Sequence, residues 1–192
     1  MHPALAAPVS ALSYEGRLEA QVPITTERAL DGVEPGLRVV TVEHRGNAVQ
    51  SVEEADEVVR QARGFLGRAW QDDRATRSLD ADDVLVVAPY DAQVALIRAQ
   101  LDAAGLAAVR VGTVDKFQGQ EAPVVIMSMT ASTASDVPRG MSFLLNRNRL
   151  NVAISRAQWC TVLVRSEALT DLLPTSPDGL IELGAFIDLC RR

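Results

Sequence analysis

VRVGTVDKFQGQEAPVVIMSMT, from Val109 to Thr130, sets two short apolar runs on either side of a polar turn. Val109 to Thr113 (VRVGT) and Pro123 to Thr130 (PVVIMSMT) are rich in β-branched residues, as strands buried on both faces tend to be. On either side, Val84 to Ala88 (VLVVA) and Cys160 to Arg165 (CTVLVR) repeat the pattern, and Leu37 to Val42 (LRVVTV) supplies a fifth strand. Helical spacing fills the intervals. Ser51 and Glu54 form a capping box ahead of Ala55, Val58, Val59, Ala62 and Leu66. Asp91 caps a helix carrying Val94, Ile97 and Leu101, which Gly105 stops. Leu150, Ala153, Ile154 and Ala157 make another apolar face, and Leu180, Leu183, Ile187 and Cys190 a last one. Strands alternating with helices of this length predict an α/β fold: a doubly wound, mostly parallel sheet with helices on both faces.

The 192 residues, 47% apolar and 23% charged, suit one globular domain. No apolar run approaches the roughly 20 residues of a bilayer span, and the opening MHPALAAPVS lacks the regions of a signal peptide. A soluble, cytoplasmic protein with no membrane partner is expected. Cys160 and Cys190 match neither a disulfide framework nor a metal spacing and are expected as buried thiols. The residues divide into an extended arm at 1–36, packing on the core or on a missing domain, and a main domain at 37–192. Gly67 to Asp83 reads as a surface insertion and Ala131 to Leu145 as a long loop.

A net charge of −6 argues against a general nucleic-acid coat protein. Its distribution is uneven. Arg139, Arg147, Arg149, Arg156 and Arg165 lie between Val137 and Ser166 with no Asp or Glu among them, a cationic surface that expects an anionic partner.

Ligands of open parallel sheets gather at the carboxyl ends of strands, which singles out three segments. In Pro89-Tyr90-Asp91-Ala92-Gln93, Tyr90 either stacks on a base or closes a core edge, and Gln93 contacts a ligand or sits in a helix's first turn. In the stretch from Thr113 to Glu121, Gly119 permits a turn that exposes peptide groups, flanked by Gln118 and Glu121 as hydrogen-bonding groups, although an ordinary loop reads the same way. In Asn146 to Gln158 (NRNRLNVAISRAQ), Arg149 and Arg156 stand seven residues apart. On one helix they project from nearly the same angle, about 10 Å apart along the axis. Such guanidinium groups either pair with local carboxylates or meet a phosphate.

The chain has no G-x-x-x-x-G-K-[ST] loop, no H-E-x-x-H and no G-x-S-x-G, and its two histidines, His2 and His44, read as surface or arm residues. Metal catalysis and Ser/His hydrolysis are poorly supported, and no metal ligands are predicted. A Rossmann-like protein of another chemistry is disfavoured by the absence of G-x-G-x-x-G.

In this order the three segments resemble the second RecA-like domain of superfamily 1 helicases of the Upf/Dna2 type. VAPYDAQ (Val87 to Gln93) is similar to helicase motif IV, GTVDKFQGQEAPVVIMSMTAS (Gly112 to Ser132) to motif V, and RLNVAISRAQ (Arg149 to Gln158) to motif VI. MHPAL and LSYEGRL (Leu12 to Leu18) resemble the stretch after the family's Q-Y-R-M-H-P element, whose arginine would fall just before Met1. The resemblance is weakest from Arg45 to Asp83. It implies a RecA-like (P-loop NTPase-type) fold and an ATP site in a cleft between two such domains, the first bringing the P-loop and the magnesium-binding acids. By the same resemblance Arg156 is the catalytic arginine finger. Gln118, Gly119 and Glu121 lie at the nucleotide, Arg149 supports them, and Pro89, Tyr90, Thr113 and Gln93 face single-stranded DNA or RNA. ATP and Mg2+ are then cofactors of the complete two-domain motor, not held tightly by this chain, and no turnover is expected without the missing first domain, on the same polypeptide or a split gene. Some bacterial relatives also carry a RecB-like nuclease. The alternative is a free-standing, non-catalytic RecA-like module that binds nucleic acid or a protein partner.

Overall fold

A computed structural model describes residues 1–13, 17, 20, 25–72, 74–171 and 174–191. In chain order the elements begin with α1 (Pro3–Ser13), β1 (Ala29–Leu30), β2 (Gly36–Val42), α2 (Val52–Phe65), β3 (Ala69–Gln71), β4 (Thr76–Ser78) and β5 (Val84–Val87). They continue with α3 (Asp91–Ala103), β6 (Arg110–Gly112), β7 (Ala122–Ser128), α4 (Met141–Leu144), α5 (Arg147–Ile154), β8 (Ala157–Ser166) and α6 (Pro177–Cys190). The main sheet runs β2-β8-β7-β5-β6 with every neighbouring pair parallel.

Alternation along the central strands feeds two cores. Val84 and Val86 of β5, Val124 and Ile126 of β7, and Val162 and Val164 of β8 pack with α2 and α3. Their neighbours Leu85, Val87, Val125, Met127 and Leu163 pack with α1, α5 and α6 on the other face. Covered on both sides, these strands need apolar residues at every position, which is why they read as unbroken runs. The doubly wound α/β, RecA-like arrangement follows.

Local signals placed several ends. Ser51 accepts a hydrogen bond from the Glu54 N–H at 3.1 Å and starts α2, and Gly105 takes a left-handed φ of +74° just beyond α3. Asp91 proves to be the first residue of α3, with Tyr90 at the cap position and no side-chain capping bond there. Asp91 still favours the helix start through the macrodipole.

Other expectations are corrected. Residues 3–13 are helical, because Leu5, Val9 and Leu12 recur at helical spacing and bury themselves in the core. Residues 14–16 and 18 of the Leu12 to Leu18 stretch lie outside the described residues. The insertion at 67–83, apart from residue 73, is a hairpin of β3 and β4 joined by β1 into a small antiparallel sheet. It exists to bury Trp70 and Leu79, each 1% exposed, under the α2/α3 core. In the segment from Ala131 to Leu145, α4 interrupts the expected loop. α6 buries Leu183, Phe186 and Leu189, leaving Leu180 exposed. Helix α5 ends at Ile154, and Ala157 begins β8 by pairing with Ala122. Arg156 therefore lies in a turn, and the same-face argument linking it to Arg149 does not hold. Cys160 is buried, while Cys190 is only partly covered.

Candidate functional site

Gly112 at the end of β6 lies level with Val87 and Met127, near the carboxyl edge of the sheet. Residues 113–121 then carry the chain back to the amino edge, where β7 starts. A 3-10 turn at Val114–Phe117 begins this return, anchored by Phe117 in the core. Gly119 then takes φ +78°, and a Cβ there would meet nothing within 4 Å. Its role is conformational, opening Gln118, Gly119, Gln120 and Glu121 to solvent. Arg110 steadies the return from below, donating to Gln120 Oε1 at 3.1 Å and to the Glu121 carbonyl at 3.4 Å. Lys116, although exposed, donates from Nζ to the Val111 carbonyl at 3.1 Å.

Arg156 meets this turn at the start of β8. Its carbonyl accepts from the Ala122 N–H at 3.0 Å. Its Nε donates to the Val152 carbonyl at 3.0 Å, one Nη to the Gln120 carbonyl at 3.5 Å and the other to Ser155 Oγ at 3.3 Å. Those acceptors are neutral. Among the described residues no carboxylate pairs with the guanidinium, so a permanent positive charge stands at the amino edge with two long hydrogen bonds available for exchange. Glu121 is next to it in the fold, accepting from Gln158 Nε2 at 3.3 Å. The chain start is close by. His2 donates its backbone N–H to the Gln158 carbonyl at 2.9 Å and sets its ring edge-on to Trp159 at 4.9 Å. Burial holds the Met1 amine below its ordinary pKa, Arg28 pushes the same way and Glu121 opposes them.

The opposite, carboxyl edge is built differently. Pro89, Tyr90, Thr113 and Arg149 line a cavity of about 270 Å³ together with Met127, Phe143 and Leu150. Tyr90 and Phe143 stand 5.6 Å apart, centre to centre, tilted by 31°. The Arg149 and Arg139 guanidinium groups lie 4.3 and 4.8 Å from the centre of the Phe143 ring. Burial pushes the Tyr90 phenol up from its ordinary pKa, and Arg139 pulls it back.

Behind the cavity lies a buried polar brace. Glu54, fully buried, accepts from Ser128 Oγ at 2.7 Å and from the Thr130 N–H at 2.8 Å, with His44 Nε2 at 3.0 Å. His44 Nδ1 faces Ser132 Oγ at 2.7 Å and the Asn47 amide nitrogen at 3.1 Å. Nδ1 is thus the acceptor, and Nε2 carries the hydrogen toward Glu54. Thr130 holds a φ of +73°, rare for a β-branched residue, and its bond to Glu54 maintains it.

The structure brings Gln118, Gly119, Glu121 and Arg156 together at one edge, and Pro89, Tyr90 and Thr113 at the other. It separates Arg149 from the first group and places it with the second. Gln93 joins neither: it is fully buried, accepting from the Ser51 N–H at 2.8 Å and donating to the Ser51 carbonyl and Ser128 Oγ, each at 3.1 Å. His44, expected at the surface, is 5% exposed. Sequence reading missed Phe143 and the Glu54 brace. An aromatic between Arg139 and Arg149 was the available sign of the first.

Residues 1–168 match the family described as an AAA domain. The chain belongs to that family. Over 78 residues this AAA domain is 50% identical to the DNA polymerase alpha-associated DNA helicase A of Schizosaccharomyces pombe, covering 41% of the chain and 11% of that protein. It is 30% identical over 156 residues to the human 3'-5' exoribonuclease HELZ2, covering 76% of the chain and 5% of that protein. A putative helicase of Danio rerio, mov-10-B.2, is 33% identical over 119 residues, covering 56% of the chain and 11% of its own length. These relatives support a superfamily 1 helicase domain, of which the chain spans about a tenth or less of the whole proteins. No helix among the described residues is long and apolar enough to cross a membrane.

Proposed function

We propose that this AAA domain is the C-terminal motor domain of an ATP-dependent DNA or RNA helicase, working against a first RecA-like domain that carries the P-loop. The observation that carries the reading is Arg156: a guanidinium at an open sheet edge, held by neutral acceptors, beside a glycine turn whose peptide groups face solvent. Such a group fits an anion brought by a neighbour.

Transfer of the γ-phosphoryl group of ATP spreads negative charge over oxygens that a positioned guanidinium stabilises. Arg156 supplies that charge. Its exchangeable bonds to Gln120 and Ser155 let it turn toward phosphate with little loss. Gln118, Gly119 and Glu121 border the nucleotide's sugar and phosphates, where the Glu121 carboxylate can accept from sugar hydroxyls. Mg2+ would be held by acids of the first domain and would there neutralise part of the phosphate charge. At the other edge Pro89, Tyr90 and Thr113 face the single strand. The chain alone turns over no ATP.

The test is Arg156→Ala and Arg156→Lys in the complete protein, assayed for strand-stimulated ATP hydrolysis. Loss of about 10³-fold or more is expected for alanine, in line with arginine fingers elsewhere. Lysine should recover little, because a point charge does not replace a planar fork. Near-normal turnover in Arg156→Ala contradicts the assignment.

A further inference from the structure

The carboxyl-edge cavity holds more chemistry than a strand track requires. Arg139 and Arg149 are stacked against one ring, yet among the described residues neither guanidinium has a hydrogen-bonded or ion-paired partner. Stacking fixes their planes and leaves their N–H edges free. Tyr90 lines the same cavity, and among the described residues its buried hydroxyl has no partner. A buried hydroxyl left unbonded carries a penalty that a ligand would remove. The floor, with Met127, Leu144 and Leu150, is apolar, and Asp91 and Asp115 stand among the lining residues as acceptors.

Two free cationic forks, aromatic rings, an orphan hydroxyl and carboxylate acceptors around an apolar floor match a nucleotide unit: phosphate, planar base, and exocyclic N–H groups. At about 270 Å³ the cavity is near the lower end of small-ligand pockets, roughly 300–1,000 Å³, and suits one base but not a run of stacked bases. We infer that the cavity takes one base of the bound single strand out of its stack, against Tyr90 and Phe143, while Arg139 and Arg149 clamp the adjoining phosphate. The inference rests on the strand-binding reading above and adds to it a base-dependent contact through residues 139, 143 and 149. Glu54 serves it indirectly, since the Ser128 it holds is part of the cavity wall.

The test uses the chain as it stands, with a labelled short oligothymidine and the same oligomer made of abasic units, titrated by fluorescence anisotropy over a salt series. The wild-type chain should bind the oligothymidine about tenfold more tightly than the abasic strand, the scale of one base stacked on an aromatic side chain. Phe143→Leu should abolish that preference. Arg139→Gln, at an exposed position where folding is not at stake, should weaken both strands and lower the log–log salt slope by about 0.7, one phosphate contact. Thermal melts confirm that the variants are folded, and Tyr90→Phe, which keeps the ring, should retain most of the base preference. Equal binding of the two strands by the wild type, or a Phe143→Leu variant that keeps the wild-type preference, overturns the base pocket while leaving a sequence-blind strand track intact. No binding of either strand at low salt overturns both.

Discussion

The two edges of the five-stranded sheet present charge in opposite ways. At the amino edge Arg156 rests on backbone carbonyls and a serine hydroxyl beside an open glycine turn. At the carboxyl edge the arginines lean on Phe143, and the backbone behind them is braced by a fully buried carboxyl group with its own hydrogen-bond network. Each edge is suited to a different kind of ligand. A cation on weak, neutral bonds can move to meet an incoming anion, whereas a walled cavity with a braced floor selects by shape and stacking. Strand β7, running from Ala122 to Ser128, joins the two edges, as the proposed coupling of two ligands in one motor domain requires.

The largest expected contrast is in turnover, the loss of about 10³-fold for Arg156→Ala already described. In stability the contrast runs the other way. Glu54→Ala leaves His44, Ser128 and the strained Thr130 N–H without their acceptor. It should cost about 3 kcal/mol or more in urea unfolding, the summed penalty for leaving several buried hydrogen-bonding groups unpaired. A loss under about 1 kcal/mol would remove the brace from the account. Gly119→Ala should cost about 1–2 kcal/mol, because φ +78° is strained for an L residue even though the added methyl meets no neighbour. Equal losses at the two positions would erase the distinction between a braced and an open edge. The smallest effect is expected between the edges, at Cys160 in mid-strand. Burial pushes its thiol up to about 12, so the reactive thiolate is absent at pH 8. Iodoacetamide should leave Cys160 unmodified in the folded chain and alkylate it in urea. Fast labelling of the native protein would show that β8 opens.

The central strands were legible because burial on both faces demands unbroken apolar runs, and Ser51 and Gly105 marked helix ends through purely local chemistry. The hairpin was not legible. Its strands are three residues long, and its partner Leu30 lies 40 positions before Trp70 in the chain. The end of α5 was misread because helical spacing continues formally to Ala157, while pairing of Ala157 with Ala122 claims that residue for β8. Helix α1 was missed although Leu5, Val9 and Leu12 carry its period; Pro8 obscured it. As for the site, residue types at both edges were visible, but not their grouping. Nothing local in residues 113–121 tells that the chain crosses the full height of the sheet, which is what sets Gln118 to Glu121 apart from Thr113 and Arg149 apart from Arg156.

The most direct test crosses the two edges in the complete protein, with ATP turnover at saturating strand and strand affinity without nucleotide measured for Arg156→Ala and Phe143→Leu. Arg156→Ala is expected to lose about 10³-fold in turnover with strand affinity unchanged, and Phe143→Leu about tenfold in affinity with turnover at saturation largely kept. A loss of strand affinity in Arg156→Ala matching its loss of turnover, or normal turnover in that variant, would contradict the assignment of the two edges.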